Sequence, residues 1–318
     1  MTARVTVGLP VFNGERFLAE TIRSVLDQTF GDLELVIADN GSTDGTEAIC
    51  RGFAAGDSRV RYHRSEVNRG AAWNYNRLVG LATSPYFTWQ AADDVLRPEF
   101  LARCIAVLDA RPEVALAYTA AEYIDADGRH RRFHRNPDGY GVGASPGERV
   151  RSAMRVTTHC FEVFGVVRLG QLRQTRLIGA YPASDLVLLA ELALLGEFAQ
   201  VSEPLFRHRM HKSRSVRQHA DRRDLVRWYS TGATRLAAPR WRLLLEYARA
   251  FGVLPVPWPA RTAALLTLPP WMLRHRLQLA YDVAALLPPP VAARAREVRD
   301  CRRGQLMALR VVARGDDT

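Results

Sequence analysis

Tyr86-Phe87-Thr88-Trp89-Gln90-Ala91-Ala92-Asp93-Asp94-Val95-Leu96-Arg97-Pro98 is the stretch around which the chain is organised. An aromatic and β-branched run that stops at two adjacent carboxylates, with Pro98 at a helix start, predicts a buried strand carrying acids to its carboxyl end. Open α/β sheets bind their ligands at that edge. Side-by-side carboxylates repel, and a cation or a hydroxyl-rich ligand between them relieves the repulsion. The plainer alternative is that Asp93 and Asp94 solvate a loop and cap the next helix.

The flanking sequence repeats the same plan. Val5 to Val11 reads as a strand, Asn13-Gly14 as a turn, and Phe17, Ile22, Val25 and Leu26 keep helical spacing towards Gln28. Leu33 to Asp39 is a second strand closing on a carboxylate, followed by the turn Asn40-Gly41-Ser42-Thr43-Asp44-Gly45. Asp44 with Glu47 has the spacing of a capping box for a helix reaching Phe53. Val60 to His63 is a third strand, Arg69 to Leu81 a helix, and Tyr86 to Ala91 the fourth strand. Such alternation predicts a parallel sheet with helices on both faces and a nucleotide-sized cleft along its carboxyl edge.

Beyond a helix from Pro98 to Ala110 and a strand from Val114 to Tyr123, periodicity weakens. Asp125 to Gly147 reads as a long loop near the site, Phe161 to Val167 as a strand, and Arg168 to Leu177 as a helix. Ser184 to Leu195 is a strongly apolar helix with Ser184 as N-cap and Gly196 as its stop, and Phe198 to Val201 and Pro204 to Arg209 are short strands. From about Gln218 the chain becomes Arg-rich and helical, broken by Pro239, Pro255 to Pro259, Pro269-Pro270 and Pro288 to Pro290, so the main boundary is placed near 217. Residues 1–217 form the first domain, with halves 1–110 and 111–217, and residues 218–318 form the second.

Composition sets the bounds. With 318 residues, 47% hydrophobic and 24% charged, the chain is globular and long enough for one large or two medium domains. The start Met1-Thr2-Ala3-Arg4 leads straight into a strand, so no secretory leader is expected, and no apolar run reaches the roughly 20 residues of a membrane span. Cys50, Cys104, Cys160 and Cys301 match neither a metal site nor a disulfide scaffold, which points to a cytoplasmic protein. The net charge of +11 belongs to the C-terminal third: residues 201–318 hold 22 of 44 Lys+Arg but 9 of 33 Asp+Glu, 22 − 9 = +13, which leaves 22 − 24 = −2 for residues 1–200. That third, with Trp228, Trp241, Trp258 and Trp271, could lie on an anionic membrane surface as a peripheral contact, or pack as a homodimerisation or acceptor-side appendage; its many prolines favour packing.

Taken in order, several pieces resemble the family 2 inverting glycosyltransferases of the GT-A fold, over about residues 4–215. These are Pro10-Val11-Phe12-Asn13-Gly14-Glu15 with Phe17-Leu18, Ala38 to Asp44, Asn68-Arg69-Gly70, Ala92-Asp93-Asp94, Ser184-Asp185 in the place of the family's Glu-Asp pair, and Arg207-His208-Arg209-Met210-His211 as its closing basic segment. The fold implied is a GT-A type, Rossmann-like α/β sheet, mostly parallel, with helices on both faces and a C-terminal helical region. The chemistry implied is transfer of a sugar from a nucleotide-diphosphate sugar donor to a hydroxyl of a carbohydrate or other acceptor.

The resemblance also assigns roles. Pro10, Phe12, Asn13, Glu15, Asp39, Asn68, Gly70, Asp93 and Arg209 would line the donor, Asp94 and His211 would hold a divalent metal (Mg²⁺ or Mn²⁺), and Asp185 would be the general base. Ala91 and Ala92 depart from the common Asp-x-Asp pattern, so a single carboxylate ligand is expected. As a surface acid, Asp94 is expected to contribute little to stability. Asp185 is expected to stay ionised at a helix N-terminus.

Two other readings compete. A nucleotidyltransferase would show a Gly-rich, basic phosphate loop after the first strand, where this chain has Phe12-Asn13-Gly14-Glu15. A noncatalytic binding protein gripping nucleic acid with its basic tail would need an aromatic-interleaved basic motif, and none is recognisable, so no nucleic acid partner is expected.

Overall fold

The computed structural model describes residues 3–134, 141–155, 160–211, 228–229 and 238–286. The expected domain boundary near 217, the Pro288 to Pro290 break and Cys301 lie outside the described residues.

The N-terminal half follows its hydrophobic pattern. β1 (Val5–Val11) is buried along its whole length, and β2 (Leu33–Asp39) nearly so, as strands covered on both faces must be. The first helices lie between the strands: α1 (Glu15–Leu26), α2 (Thr46–Gly56) and α3 (Ala71–Leu81), with β3 (Val60–Arg64) and β4 (Tyr86–Trp89) completing four parallel strands in the order β3-β2-β1-β4. One core layer joins Val7, Leu9, Leu18, Ile22, Leu35 and Phe100; the other joins Val36, Leu78, Phe87, Trp89, Leu188 and Leu192. Burying a side chain of this size contributes about 1.5–3 kcal/mol.

The sheet then loses its single direction. It continues β4-β8-β6-β9-β5, with β7 on β6, through β5 (Val95–Leu96), β6 (Val114–Asp125), β7 (His130–His134), β8 (Val166–Arg168) and β9 (Glu197–Met210), with α4 (Phe100–Ala110) between β5 and β6 in the chain. β8 is antiparallel to both β4 and β6, whereas β9 runs parallel to β6 and antiparallel to β5. The two short strands expected at 198–209 are one strand, β9, bent by register shifts opposite Thr119 to Ala121.

Other expectations also change. The stretch 125–147 is not one loop, because it contains β7 and the start of α5 (Pro146–Ala153), whose Ser145/Glu148 pair is a complete capping box. Residues Phe161–Phe164 form a 3₁₀ turn rather than a strand, and Gly165 follows because a Cβ there would stand 2.7 Å from the Ala117 carbonyl oxygen on β6. The helix expected to run to Leu177 stops as α6 (Leu169–Leu172). The capping box expected of Asp44 and Glu47 is absent: Gly45 is the N-cap, Asp44 accepts from the Thr46 and Glu15 amides, and Glu47 pairs with Arg51 and Arg64. Ser184 is not the cap of α7 (Ser184–Leu195); left-handed Ala183 is, and Ser184 lies buried in the first turn.

The described C-terminal helices are α8 (Pro239–Val253), α9 (Trp258–Leu265), α10 (Leu268–Arg274) and α11 (Arg276–Ala284). They pack against α5 and α7, where Leu243, Tyr247, Phe251 and Trp271 share a core with Val150, Met154, Val187 and Leu194. One side of these described helices is thus covered by packing within the chain. Among the described residues no helix is long and apolar enough to cross a membrane.

One turn can be tested by itself. Gly41 has φ +79°, and a Cβ there would lie 2.9 Å from the Val67 carbonyl carbon. Gly41→Ala should therefore lower stability by at least about 1–2 kcal/mol, the cost of a left-handed side chain, seen as a lower denaturant midpoint at unchanged slope.

Candidate functional site

The carboxyl ends of β1, β2 and β4 lie at one edge of the sheet, and the loops there are tied together by side chains. At β2's end Asp39 is fully buried; its Oδ1 accepts from the Ser42 amide at 2.8 Å and its Oδ2 from the Tyr62 hydroxyl at 2.7 Å. Asn13, at φ +52°, donates its amide to Ser42 Oγ and accepts at Oδ1 from the Thr43 amide, while Glu15 Oε2 accepts from the Gly45 amide at 2.6 Å. The turn after β1 and the turn after β2 thus form one rigid lip. Pro10 is buried inside β1 opposite Ala38, and Phe12 stands half exposed on the lip.

The third wall comes from residues 68–70. Asn68 Oδ1 accepts from Asn40 Nδ2 and from the Gly70 amide, and Asn40 Oδ1 accepts from the Arg69 amide. Gly70, at φ +88°, opens α3, whose Trp73 ring lies between the Arg69 and Arg77 guanidinia at 4.8 and 5.2 Å. The donor-lining residues named from sequence, Pro10, Phe12, Asn13, Glu15, Asp39, Asn68 and Gly70, are on or directly behind this rim. Several of them use their polar atoms to shape it.

The turn after β4 is pinned from below, since Thr21 Oγ1 donates to the Ala92 and Asp94 carbonyls and Gln90 Nε2 to the Asp94 carbonyl. β5 then pairs with β9, which carries the basic segment across the turn. The two acids consequently have different environments. Asp94 is 1% exposed, with Oδ1 accepting from the Arg209 amide at 2.8 Å and Oδ2 3.0 Å from His208 Nδ1. Burial raises its pKa, and His208 opposes that rise. Asp93 keeps about a third of its side chain exposed, and its Oδ2 is 2.9 Å from His211 Nε2.

Arg209, expected to face a diphosphate, is instead enclosed. It donates to the Asp93 and Ala126 carbonyls, pairs with Glu20 at 2.7 Å, and lies over the Phe17 ring. Phe17 also packs on His211, with centroids 4.7 Å apart. Arg209 therefore holds the turn in place and clamps β9 onto it.

The expectation that Asp94→Ala would spare the fold fails on this geometry. Removing the carboxylate strands a buried amide and a partly buried imidazole, so Asp94→Ala should cost about 3 kcal/mol, measurable as a fall in the unfolding midpoint.

Asp185 lies in the first turn of α7, half-buried, accepting from its neighbour's amide at Leu186. Burial pushes its carboxyl above the ordinary range, while hydrogen bonds from Leu186 and the Cys160 thiol pull the other way. Desolvation here outweighs the helix dipole, which by itself favours the ionised form. Tyr75, on α3, connects the two parts of the site: burial raises its hydroxyl's pKa, and the charges of Asp93, Asp94 and Asp185 raise it further. The charges of all three acids thus act on this one phenol.

Glu162 and Glu191 are the nearby acids that could substitute for Asp185. Glu191 is fully buried, with Oε2 accepting from the Arg176 amide, and burial pushes its pKa up to about 7. Because that is above its unfolded value of 4.5, its contribution to stability is present below about pH 4.5 and lost as pH rises through about 7. Glu191→Gln should flatten the pH dependence of the unfolding midpoint across that window. Glu162 is also buried.

Among the described residues no cluster of three or more His, Cys, Asp and Glu could hold a metal by itself. Asp93 and His211 offer one oxygen and one nitrogen. The Asp93 carboxylate fits a Mg²⁺ or Mn²⁺ ion completed by water and phosphate oxygens, since such ions are often held by one or two carboxylates together with a substrate's phosphates, while the His211 nitrogen is the softer of the two donors.

Sequence reading missed His208, Glu20, Phe17 as a stacking platform, Tyr75 and Cys160. His208 had been quoted within the basic segment without a role. Its burial among Phe161, Tyr123 and Phe206 depends on contacts between distant segments that no local pattern reveals.

Comparison with known proteins agrees with this architecture. The chain is 36% identical over 107 residues to the putative glycosyltransferase EpsE of Bacillus subtilis, covering 33% of this chain and 38% of that protein. It is 32% identical over 101 residues to glycosyltransferase GlyG of Streptococcus pneumoniae, covering 32% and 34%, and 28% identical over 207 residues to chondroitin synthase of Escherichia coli, covering 65% and 29%. It thus spans about a third of the length of these relatives. Among solved structures, S. aureus TarS 1-349 in complex with UDP-GlcNAc matches with a TM-score of 0.62 at 14% identity, over 91% of this chain and 83% of that one. The Pyrobaculum calidifontis mannosyltransferase PcManGT, in complex with GDP-Man and Mn²⁺, matches with a TM-score of 0.55 at 18% identity, over 97% and 81%. The expected GT-A type α/β fold with a C-terminal helical region stands, although its second half is mixed rather than parallel. Residues 6–167, just over half of the chain, match the family described as Glycosyl transferase family 2, and the chain belongs to that family.

Proposed function

We propose that this chain is an inverting glycosyltransferase that moves a sugar from a nucleotide-diphosphate sugar to an acceptor hydroxyl. The observation supporting the proposal is that the charges of Asp93, which is paired with His211, and of Asp185, whose pKa burial raises, both act on the Tyr75 hydroxyl. A metal-competent pair on one side and a lone base on the other are the two functions that direct displacement requires.

The base and ribose would lie along the lip of residues 12–15, 39–43 and 68–70, at the carboxyl ends of β1 and β2. Asp93 and His211 would hold the divalent ion, and the role expected of Asp94 moves to its neighbour because both Asp94 oxygens are engaged inside. When bound, the ion supplies positive charge to the diphosphate. Arg209 keeps the Asp93 turn fixed from behind.

Asp185 takes the proton of the acceptor hydroxyl as the acceptor oxygen bonds to the anomeric carbon. The bond from that carbon to the diphosphate oxygen breaks, and the nucleoside diphosphate leaves with the electron pair. A base of raised pKa accepts a proton more readily than an ordinary carboxylate and is still ionised above its own pKa.

UDP-GlcNAc in TarS and GDP-Man in PcManGT support a nucleotide-diphosphate sugar as donor class. A thermal-shift screen of UDP- and GDP-sugars with and without Mn²⁺ tests this directly: a true donor should raise the midpoint in proportion to log concentration, and more with metal. No stabilisation by any member, with or without metal, would sink the reading.

A further inference from the structure

The described C-terminal helices have an outer face that packing leaves uncovered. Among the described residues, eight of the twelve large apolar side chains that are strongly exposed fall within residues 245–286, Trp258, Leu266, Leu273 and Leu277 among them. The backbone ladder runs on through His275, which donates to the Trp271 carbonyl and accepts from the Leu279 amide. Pro270, Leu273, Arg274 and Leu277, three or four residues apart, therefore share one side of α10 and α11.

Within residues 239–286 the exposed charge has one sign. The acids of residues 239–286 are Glu246 and Asp282, both buried: Glu246 pairs with Arg176, Arg242 and Arg249, and Asp282 accepts from the Arg240 amide. Arg274 and Arg276 are exposed. Beside the stripe, Arg151 in α5, Arg155 just after it and Arg274 line one shallow cleft together with Met154 and Trp271. Pro270 and Arg274 belong to both cleft and stripe, so three guanidinia border an apolar ridge.

We propose that this face docks on an anionic phospholipid surface, with phosphate headgroups entering the Arg151, Arg155 and Arg274 cleft while Leu273 and Leu277 reach the acyl boundary. Guanidinium forks suit phosphate oxygens, and exposed Leu and Trp beside cationic side chains suit an interface between water and lipid. A second copy of the chain would set this cationic face against itself in a two-fold contact. Residues 287–318 carry seven Arg against four acids, a poor electrostatic match for the same face. Nucleic acid would leave the leucine ridge in water.

The test uses the whole chain and does not depend on transfer activity. Flotation with phosphatidylcholine vesicles is compared with flotation on vesicles containing phosphatidylglycerol. The protein should float only with the anionic vesicles, and about 0.5 M salt should release it. Leu273→Glu/Leu277→Glu and Arg151→Glu/Arg274→Glu should each reduce binding about tenfold or more at an unchanged unfolding midpoint and unchanged nucleotide-sugar stabilisation. Absence of flotation in the parent protein overturns the proposal. So does binding that survives in both double variants, or that is lost only on truncation after residue 286. A concentration-dependent dimer dispersed by the leucine variant would assign the face to a second copy instead.

Discussion

Asp185→Asn is expected to lower sugar transfer by about 10² to 10⁴ while leaving donor affinity near that of the parent protein. The amide keeps an oxygen for the Leu186 amide, which also donates to the Ala183 carbonyl, so the start of α7 should survive. What is lost is the ability to take a proton. The pH profile gives a second reading: with burial raising the carboxyl's pKa, activity should fall on the acid side at a higher pH than an ordinary carboxylate would set. The Cys160 thiol opposes that rise, so Cys160→Ala should move the acid limb further up in pH. A variant at position 185 that transfers at nearly the parent rate would leave Asp185 a structural acid and turn attention to Glu162.

The other large effect separates two neighbours. Asp93→Ala should remove metal-stimulated donor binding and lower kcat/KM by at least about 10²-fold, because charge stabilisation at a diphosphate amounts to several kcal/mol. His211→Ala should move in the same direction. Asp94→Ala should show mainly as lost stability, because its carboxylate is tied to the Arg209 amide and to His208. Titrating nucleotide with and without Mn²⁺, alongside unfolding midpoints for all three variants, distinguishes the roles. Metal dependence that persists in Asp93→Ala but disappears in a stable Asp94→Ala would return the ligand to Asp94.

Sequence by itself determined the alternating half of the fold. Residues 5–11 and 33–39 are continuous buried runs, residues 15–26 keep helical spacing, and each reads locally because a strand's or helix's periodicity needs no distant partner. The same holds for the position of the acids at a strand end and for the apolar helix that begins near Asp185. Tertiary structure alone decided the surroundings of each acid. Asp93 and Asp94 are adjacent in sequence, yet β9 arrives more than a hundred residues later to bury one beside His208 and leave the other beside His211. Residues 130–134 became strand because an existing edge of β6 was there to pair with. The rise in the Asp185 pKa likewise has its main source in burial, which depends on segments packed around it rather than on its helix. Burial and long-range pairing are properties of the assembled chain, and they outweigh the local terms of capping and helix dipole wherever the two compete.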